Sequence, residues 1–365
     1  MTGNSGARRQ DADIIIVGGG PVGLLLAALL GEARRHKVVL LDARSDFPLP
    51  PGIDPRVYAL SRASQRLLEQ VGAWSALAPA HAWPYRRMHV WDAARPHGHG
   101  AALDFDAAEL GEPDLGHIVE NARLETALRT VVMAQAGVRI ERGVRVAQLE
   151  LSAESASVTS DDDQRWCARL IVAADGAGSR LRGLAGIETI ERDYRQQALV
   201  THVHCELPHG ETAWQRFLPT GPVALLPLGD GRCSVVWSAD AALAESLRDL
   251  DDKAFAAALT AATEGVLGQL SAPEPRVTLP LRALHARRYV ARRFVLAGDA
   301  AHVVHPLAGQ GANLGLLDAA ALARALAHGA DPGERRCLRA YERARKADNL
   351  AVMAALDGLQ RVFGI

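Results

Sequence analysis

The chain has 365 residues, 48% apolar and 23% charged, with 41 basic against 42 acidic side chains and a formal net charge of −1. That composition is ordinary for a soluble globular enzyme of about two domains, and its balanced charge excludes a nucleic-acid-binding role built on a basic face. The four cysteines (Cys167, Cys205, Cys233, Cys337) lie far apart with no CxxC pair, which excludes a zinc ribbon or a dithiol centre. No metal site is expected, and reduced thiols fit a cytoplasmic location.

In chain order, residues 1–12 read as a polar tail. "DIIIVG" is a buried strand, "PVGLLLAALLGEARRH" a helix opening on Pro21, and "KVVLLDAR" a second buried strand. A βαβ unit of this kind implies a parallel sheet. The apolar run Ile14–Leu30 falls short of the roughly 20 residues of a membrane span, and Gly18-Gly19-Gly20-Pro21 interrupts it. Asp11 and Asp13 stand where a signal peptide carries positive charge. Ser61 is the expected N-cap of a helix over "SRASQRLLEQVG". "MHVWDA" and "AALDFD" alternate apolar and polar residues around "RPHGHG", which reads as a hairpin.

A helix at "NARLETALRTVVMAQAG" precedes strands at "VRIERG", "VAQLELSAE" and "SASVTSDDDQRWCARLIVAAD". From about Leu184 to Pro275 the strands "QALVTHVHCEL", "TAWQRFLP" and "VALLPLGDGRCSVVWSA" follow one another, with "GDGR" as a turn. Helices are expected near 241–248 and 252–263. "VTLPLRA" and "RRFVLAGDAA" are expected to return the chain to the first domain, and two helices end it, the last from Asp331-Pro332. The expected class is α/β: a Rossmann βαβ domain over 1–80, 101–183 and 276–365, interleaved with an antiparallel β-sheet domain over 81–100 and 184–275.

Three motifs carry the chemistry. Gly18, Gly20 and Gly23 occupy the glycine positions of G-x-G-x-x-G between strand and helix. Asp42 ends the next strand at the spacing of a carboxylate that bonds an adenosine ribose, which leaves both FAD and NAD open. "AADGAGSRLR" places Asp175-Gly176 at a strand end before a helix starting near Ser179, where an ordinary turn, with Arg180 and Arg182 as solvent contacts, stays open as a reading. "GDAAHVVHPLAGQGANLGLLDA" places Asp299 after a strand, then a loop running to Gly309-Gln310-Gly311-Ala312-Asn313 at a helix start. Backbone N–H groups there can bind an anion or a polarised carbonyl, and the glycines with Pro306 leave a flat surface suited to a planar ring.

Taken in this order, the three motifs resemble those of the single-component FAD-dependent aromatic hydroxylases related to para-hydroxybenzoate hydroxylase, and within them the ubiquinone-biosynthesis hydroxylases (the UbiH/UbiF/UbiI group). "HPLAGQGANLGLLD" matches that group's signature at His305, Pro306, Gly309, Gln310, Gly311, Asn313, Gly315 and Asp318. "DPRVYALSRASQRLLEQVGAW", "IVENARLETAL" and "FLPTGPVALLPLGDGRCSVVW" look alike too, so the resemblance runs from Asp13 to about Tyr341.

The resemblance implies a glutathione-reductase-like FAD-binding domain with an inserted β-sheet substrate domain. Gly18, Gly20 and Gly23 would hold the FAD pyrophosphate and Asp42 the ribose, with Arg44 and Arg123 as further contacts. Asp175 and Gly176 would touch FAD and bear on NAD(P)H use. Asp299 would bind the ribityl–pyrophosphate portion, and Pro306 with the Gly309–Asn313 backbone would face the isoalloxazine. The implied cycle reduces FAD with NAD(P)H or another donor, adds O2 as a C4a-hydroperoxide, and hydroxylates a polyprenylated phenol. His305 is the nominated base, with His302 competing. Tyr58, Leu225, Pro227 and Trp237 are the expected ring pocket. Other ubiquinone-biosynthesis proteins and the inner membrane face are implied as contacts. Members of the group usually run some way past the point where this sequence stops, in a segment expected to pack near the FAD domain or to serve such contacts.

A nicotinamide dehydrogenase leaves the third motif unexplained, a disulfide reductase lacks its cysteine pair, and a flavin halogenase lacks its W-x-W-x-I-P stretch. A reductase of isoprenoid double bonds and a non-catalytic subunit that kept the fold stay open as alternatives.

Overall fold

Two large sheets organise the chain in a computed structural model that describes residues 11–49, 54–93, 102–272, 274–305, 309–328 and 331–362. The six-stranded sheet has the order β19-β20-β12-β1-β2-β8. Its strands are β1 (Ile14–Val17), β2 (Val38–Asp42), β8 (Val138–Arg142), β12 (Leu170–Ala173), β19 (Val290–Ala291) and β20 (Phe294–Leu296). All pairs are parallel except β19 with β20. Every residue of β1 and β2 is buried, which is why both read as unbroken apolar runs rather than alternating ones. Helix α1 (Pro21–Ala33) connects them and packs on α3 (Asn121–Met133) and α7 (Gln310–Leu326).

Two three-stranded sheets border this core: β9 (Val146–Leu151), β10 (Ala156–Ser160) and β11 (Arg165–Ala168), and β3 (Val57–Ser61), β7 (Gly116–Glu120) and β4 (Ala82–Tyr85). Helix α2 (Arg62–Gln70) starts as expected, with the Ser61 hydroxyl accepting the Ser64 N–H at 3.3 Å.

The large sheet has the order β21-β18-β13-β16-β15-β14-β5-β6, with β17 (Leu270–Ser271) added on β13. Its other strands are β5 (Arg87–Asp92), β6 (Ala102–Asp106), β13 (Thr189–Cys205), β14 (Thr212–Leu218), β15 (Gly221–Pro227), β16 (Arg232–Asp240), β18 (Val277–Ala286) and β21 (His302–Val303). The expectation of an antiparallel sheet needs correction, because β14 and β5 are parallel and the sheet is mixed. No hairpin joins these two strands, so no turn ties their directions. The pairing of β5 with β6 is antiparallel as expected, while the tip of that hairpin lies outside the described residues.

Strand β18, expected in the first domain, pairs with β13 instead, and β6 likewise belongs to this sheet. Alternation marks a half-buried strand but does not say which sheet receives it. Helices α5 (Ala241–Asp249) and α6 (Asp252–Ala262) cover one face through a core that includes Leu225, Val235, Trp237, Phe255 and Leu259. The remaining helices are α4 (Arg180–Leu184) and α8 (Arg335–Val362). The last helix starts after Asp331-Pro332, where Asp331 instead pairs with Arg293 at 2.9 Å. Among the described residues no helix is long and apolar enough to cross a membrane.

Candidate cofactor cleft and substrate cavity

The turn between β1 and α1 is built for close approach. Gly18 has φ +117°, and a Cβ there would lie 2.1 Å from the Ala174 carbonyl oxygen. Gly20 is different: a Cβ at that position would meet nothing within 4 Å, so open space faces the helix start. Gly20 caps α1 without any side-chain hydrogen bond, which leaves the first-turn N–H groups without a side-chain acceptor. Asp42 stands buried beside this turn, its carboxylate within contact of a Cβ built on Gly19.

Arg44 is committed to bracing that carboxylate. Its guanidinium donates to Asp42 Oδ2 at 3.1 Å, to the Gly19 carbonyl at 2.8 Å and to Glu125 at 2.7 Å. Arg123 lies on the first turn of α3 with its Nε 4.0 Å from Glu120. Asp175 caps α4, accepting from the Ser179 hydroxyl at 2.6 Å and the Leu181 N–H at 3.3 Å. Gly176 beside it faces open space. Arg182 is not the expected solvent contact: it is buried and donates to the Ala300 carbonyl at 2.9 Å, which ties this element to the residues around Asp299.

Asp299 is reached by solvent, yet crowding by the surrounding atoms favours its neutral acid and raises its pKa. Pro306 lies outside the described residues. Helix α7 then begins at Gly309, which has φ +62° and caps it without a side-chain hydrogen bond. The N–H groups of Gln310, Gly311 and Ala312 therefore form a second helix start with no side-chain cap. Asn313 clips this start in place. Its Oδ1 accepts from the Ser61 N–H at 2.9 Å and the Ser64 hydroxyl at 2.7 Å, and its Nδ2 donates to the Ala59 carbonyl at 2.9 Å.

Sequence reading missed a buried hub beneath this loop. Asp318 on α7 accepts from the Gly298 N–H at 3.1 Å and from Arg345 Nε at 2.8 Å, and it bonds His302 Nε2 at 2.6 Å. Burial alone raises a carboxyl pKa, but the charges and hydrogen bonds of His302 and Arg345 outweigh it and hold Asp318 below the ordinary range. Arg345 comes from α8, so the last helix holds the loop through this carboxylate. A buried arginine in "YERARKADN" opposite the signature aspartate was the available signal, but helical charge is usually solvated.

A cavity of about 120 Å³, partly open to solvent, lies between the large sheet and the β3–β7–β4 sheet. Its walls include Val57, Ala59, Ala224, Leu226, Val236 and Gly309, with Tyr85, Gln215 and Ser238 as polar members. The expected pocket residues Tyr58, Leu225, Pro227 and Trp237 do not line it, and the correction is uniform. Each faces away, while its neighbour one position along faces in. Strand side chains alternate, so a one-residue error moves a whole set to the other face. Leu225 and Trp237 belong to the core under α6, with Trp237 6.5 Å from Phe255. Tyr58 donates to Asn121 Oδ1 at 3.0 Å. Burial and then Asp114 push the Tyr85 phenol up to about 12, so it stays protonated at neutral pH.

The two histidines also fall elsewhere. His302 is bound into the Asp318 hub and does not line the cavity. His305 is buried edge-on against Tyr194 at 4.9 Å, in a separate small cavity with Met353 and Leu356.

A family model described as FAD binding domain matches residues 11–355. The chain is 37% identical over 363 residues to the ubiquinone hydroxylase UbiL of Rhodospirillum rubrum, covering 98% of this chain and 83% of that one. It is 35% identical over 353 residues to the 3-demethoxyubiquinol 3-hydroxylase of Escherichia coli, covering 95% of this chain and 89% of that one. Among solved structures, pqsL of Pseudomonas aeruginosa, a probable FAD-dependent monooxygenase, superposes with a TM-score of 0.78 at 24% identity, covering 97% of this chain and 96% of that one, which bears on the fold.

Proposed function

The chain belongs to the FAD-binding family of ubiquinone-biosynthesis aromatic hydroxylases, and from that premise we propose that it transfers one oxygen atom of O2 to the ring of a polyprenylated phenol, with NAD(P)H as reductant. The observation that supports this most is the position of Gly309, which is at once a wall of the apolar cavity and the cap of α7. A ring in the cavity thus lies against the helix start that suits a flavin.

The residues present fit FAD held in the glutathione-reductase-like manner. The α1 start with the open space at Gly20 would take the pyrophosphate, Asp42 the ribose, Asp299 the ribityl portion, and the α7 N–H groups the isoalloxazine. Bound FAD supplies electron transfer from the reductant and the activation of O2. The chain supplies position and dryness. Gln215 both donates and accepts, so it can hold the phenol hydroxyl, and Ser238 offers a second hydroxyl partner. The described residues lining the cavity include no carboxylate or imidazole, and what they supply is orientation of an electron-rich ring. The apolar walls exclude water from the reacting atoms.

The test is turnover of a farnesylated phenol by the FAD-loaded protein under ¹⁸O2. A product gaining one labelled oxygen is expected. A product gaining two hydrogens and no label would replace this reading with an isoprenoid double-bond reductase. Adjacent leucines separate the two faces of β15. Leu226→Trp is expected to fill the cavity and raise KM about tenfold or more with little change in stability, following the scale of burying a large side chain in occupied space. Leu225→Ala is expected to leave KM unchanged and cost about 2–5 kcal/mol by urea denaturation, as a core cavity.

A further inference from the structure

The cavity's apolar wall does not stop at the cavity. On β5, Met88 lines it, and Met88 pairs directly with Phe105 on the edge strand β6. A second row runs from Ala224 through Gln215 and Val90 to Leu103, each directly opposite the next. Directly paired residues share a face, so Leu103 and Phe105 face the same way as the cavity wall. The other face of β5 and β6 is polar and aromatic, with His89 bonded to Asp104 at 2.5 Å and Trp91 donating to Glu264 at 3.1 Å. Val90 is buried in a cluster with Phe217, Leu314 and Leu356, while Leu103 and Phe105 beyond it are each 49% exposed. With strands about 4.8 Å apart, the second row spans about 14 Å from the cavity wall to the open sheet edge.

An edge strand normally carries charge on its exposed positions. On β6 charge is confined to one face, that of Asp104 and Asp106, while Leu103 and Phe105 lie on the face continuous with the cavity. We propose that this strip, from Met88 at the cavity to Phe105 and Leu103 on the edge strand, is a groove that takes the isoprenoid tail of the substrate as it leaves the cavity. The inference rests on the proposed substrate class and names the path of its tail. Because the groove ends at a sheet edge, it grips the first part of the tail and sets no upper limit on its length.

The experiment compares dissociation constants of the FAD-loaded protein for a farnesylated phenol and for the same phenol without the tail. The unmodified protein is expected to bind the tailed ligand at least tenfold more tightly. The exposed double variant Leu103→Asp/Phe105→Asp is expected to bring the two constants within about twofold, while the variant's thermal melt stays that of the parent. Absence of a tail effect in the parent, or its persistence in the variant, overturns the groove. Loss of sedimentation with phosphatidylglycerol vesicles while the tail effect persists also overturns it and makes the strip a bilayer-docking face. Hydroxylation without tail preference overturns the groove alone. Tail-dependent binding with no oxygen transfer supports the groove and overturns the proposed reaction.

Discussion

Gly20→Val is expected to leave the fold intact and abolish retention of FAD. A Cβ at Gly20 meets nothing within 4 Å, and its backbone sits at φ −77°, open to any residue. The branched side chain would instead fill the space before the α1 N-terminus. Losing two backbone hydrogen bonds to a charged phosphate, at roughly 1.5–3 kcal/mol each, corresponds to more than about a hundredfold in affinity. Flavin fluorescence titration reads the loss, and the melt of the FAD-free protein checks the fold. Binding within threefold of the parent would remove the pyrophosphate from α1. Gly18→Ala is the contrast, because its methyl would strike the Ala174 carbonyl and that variant is expected to misfold.

Asp318→Ala is expected to lower the free energy of unfolding by about 3–5 kcal/mol, because it removes the buried acceptor shared by His302 and Arg345 and leaves Arg345 only its pair with the exposed Asp348. It also frees the Gly298 N–H, so FAD affinity falls with stability. The pH dependence has a defined sign. Asp318 is depressed in the folded protein, so its contribution is present above the unfolded value of about 3.9 and is lost as pH falls through the lower folded value. The parent should therefore lose stability below about pH 3.9 more steeply than the variant. Urea midpoints across pH measure both effects. A cost under about 1 kcal/mol would mean that the hub is no stronger than a surface pair.

The elements around the cofactor were legible because they are local. Gly18 to Gly23, Asp42 and the Gly309–Asn313 helix start are each set within a few residues by strand, turn and cap chemistry, and the structure places them where those rules put them. The large sheet was legible only as strands. Its parallel pair of β14 with β5 and the capture of β18 and β6 depend on partners far away in the chain. The pocket failed by one residue at Tyr58, Leu225, Pro227 and Trp237. The sequence favoured the larger aromatic and aliphatic positions, but those are what α6 and the first core bury. The cavity is walled by smaller neighbours such as Ala59, Ala224 and Ser238, because space for a ligand is left where side chains are short.

By itself the sequence determined the βαβ start and the glycine-rich helix starts, since these rest on short-range geometry and helix-end polarity, while the class of chemistry came from its resemblance to a known family. Only the tertiary structure decided which face of the large sheet looks inward, that Asp318, His302 and Arg345 form one buried hub, and that His305 lines a small cavity apart from the larger one. Those outcomes turn on which surfaces are covered. A strand's alternation offers two faces equally, and only packing between distant segments chooses one.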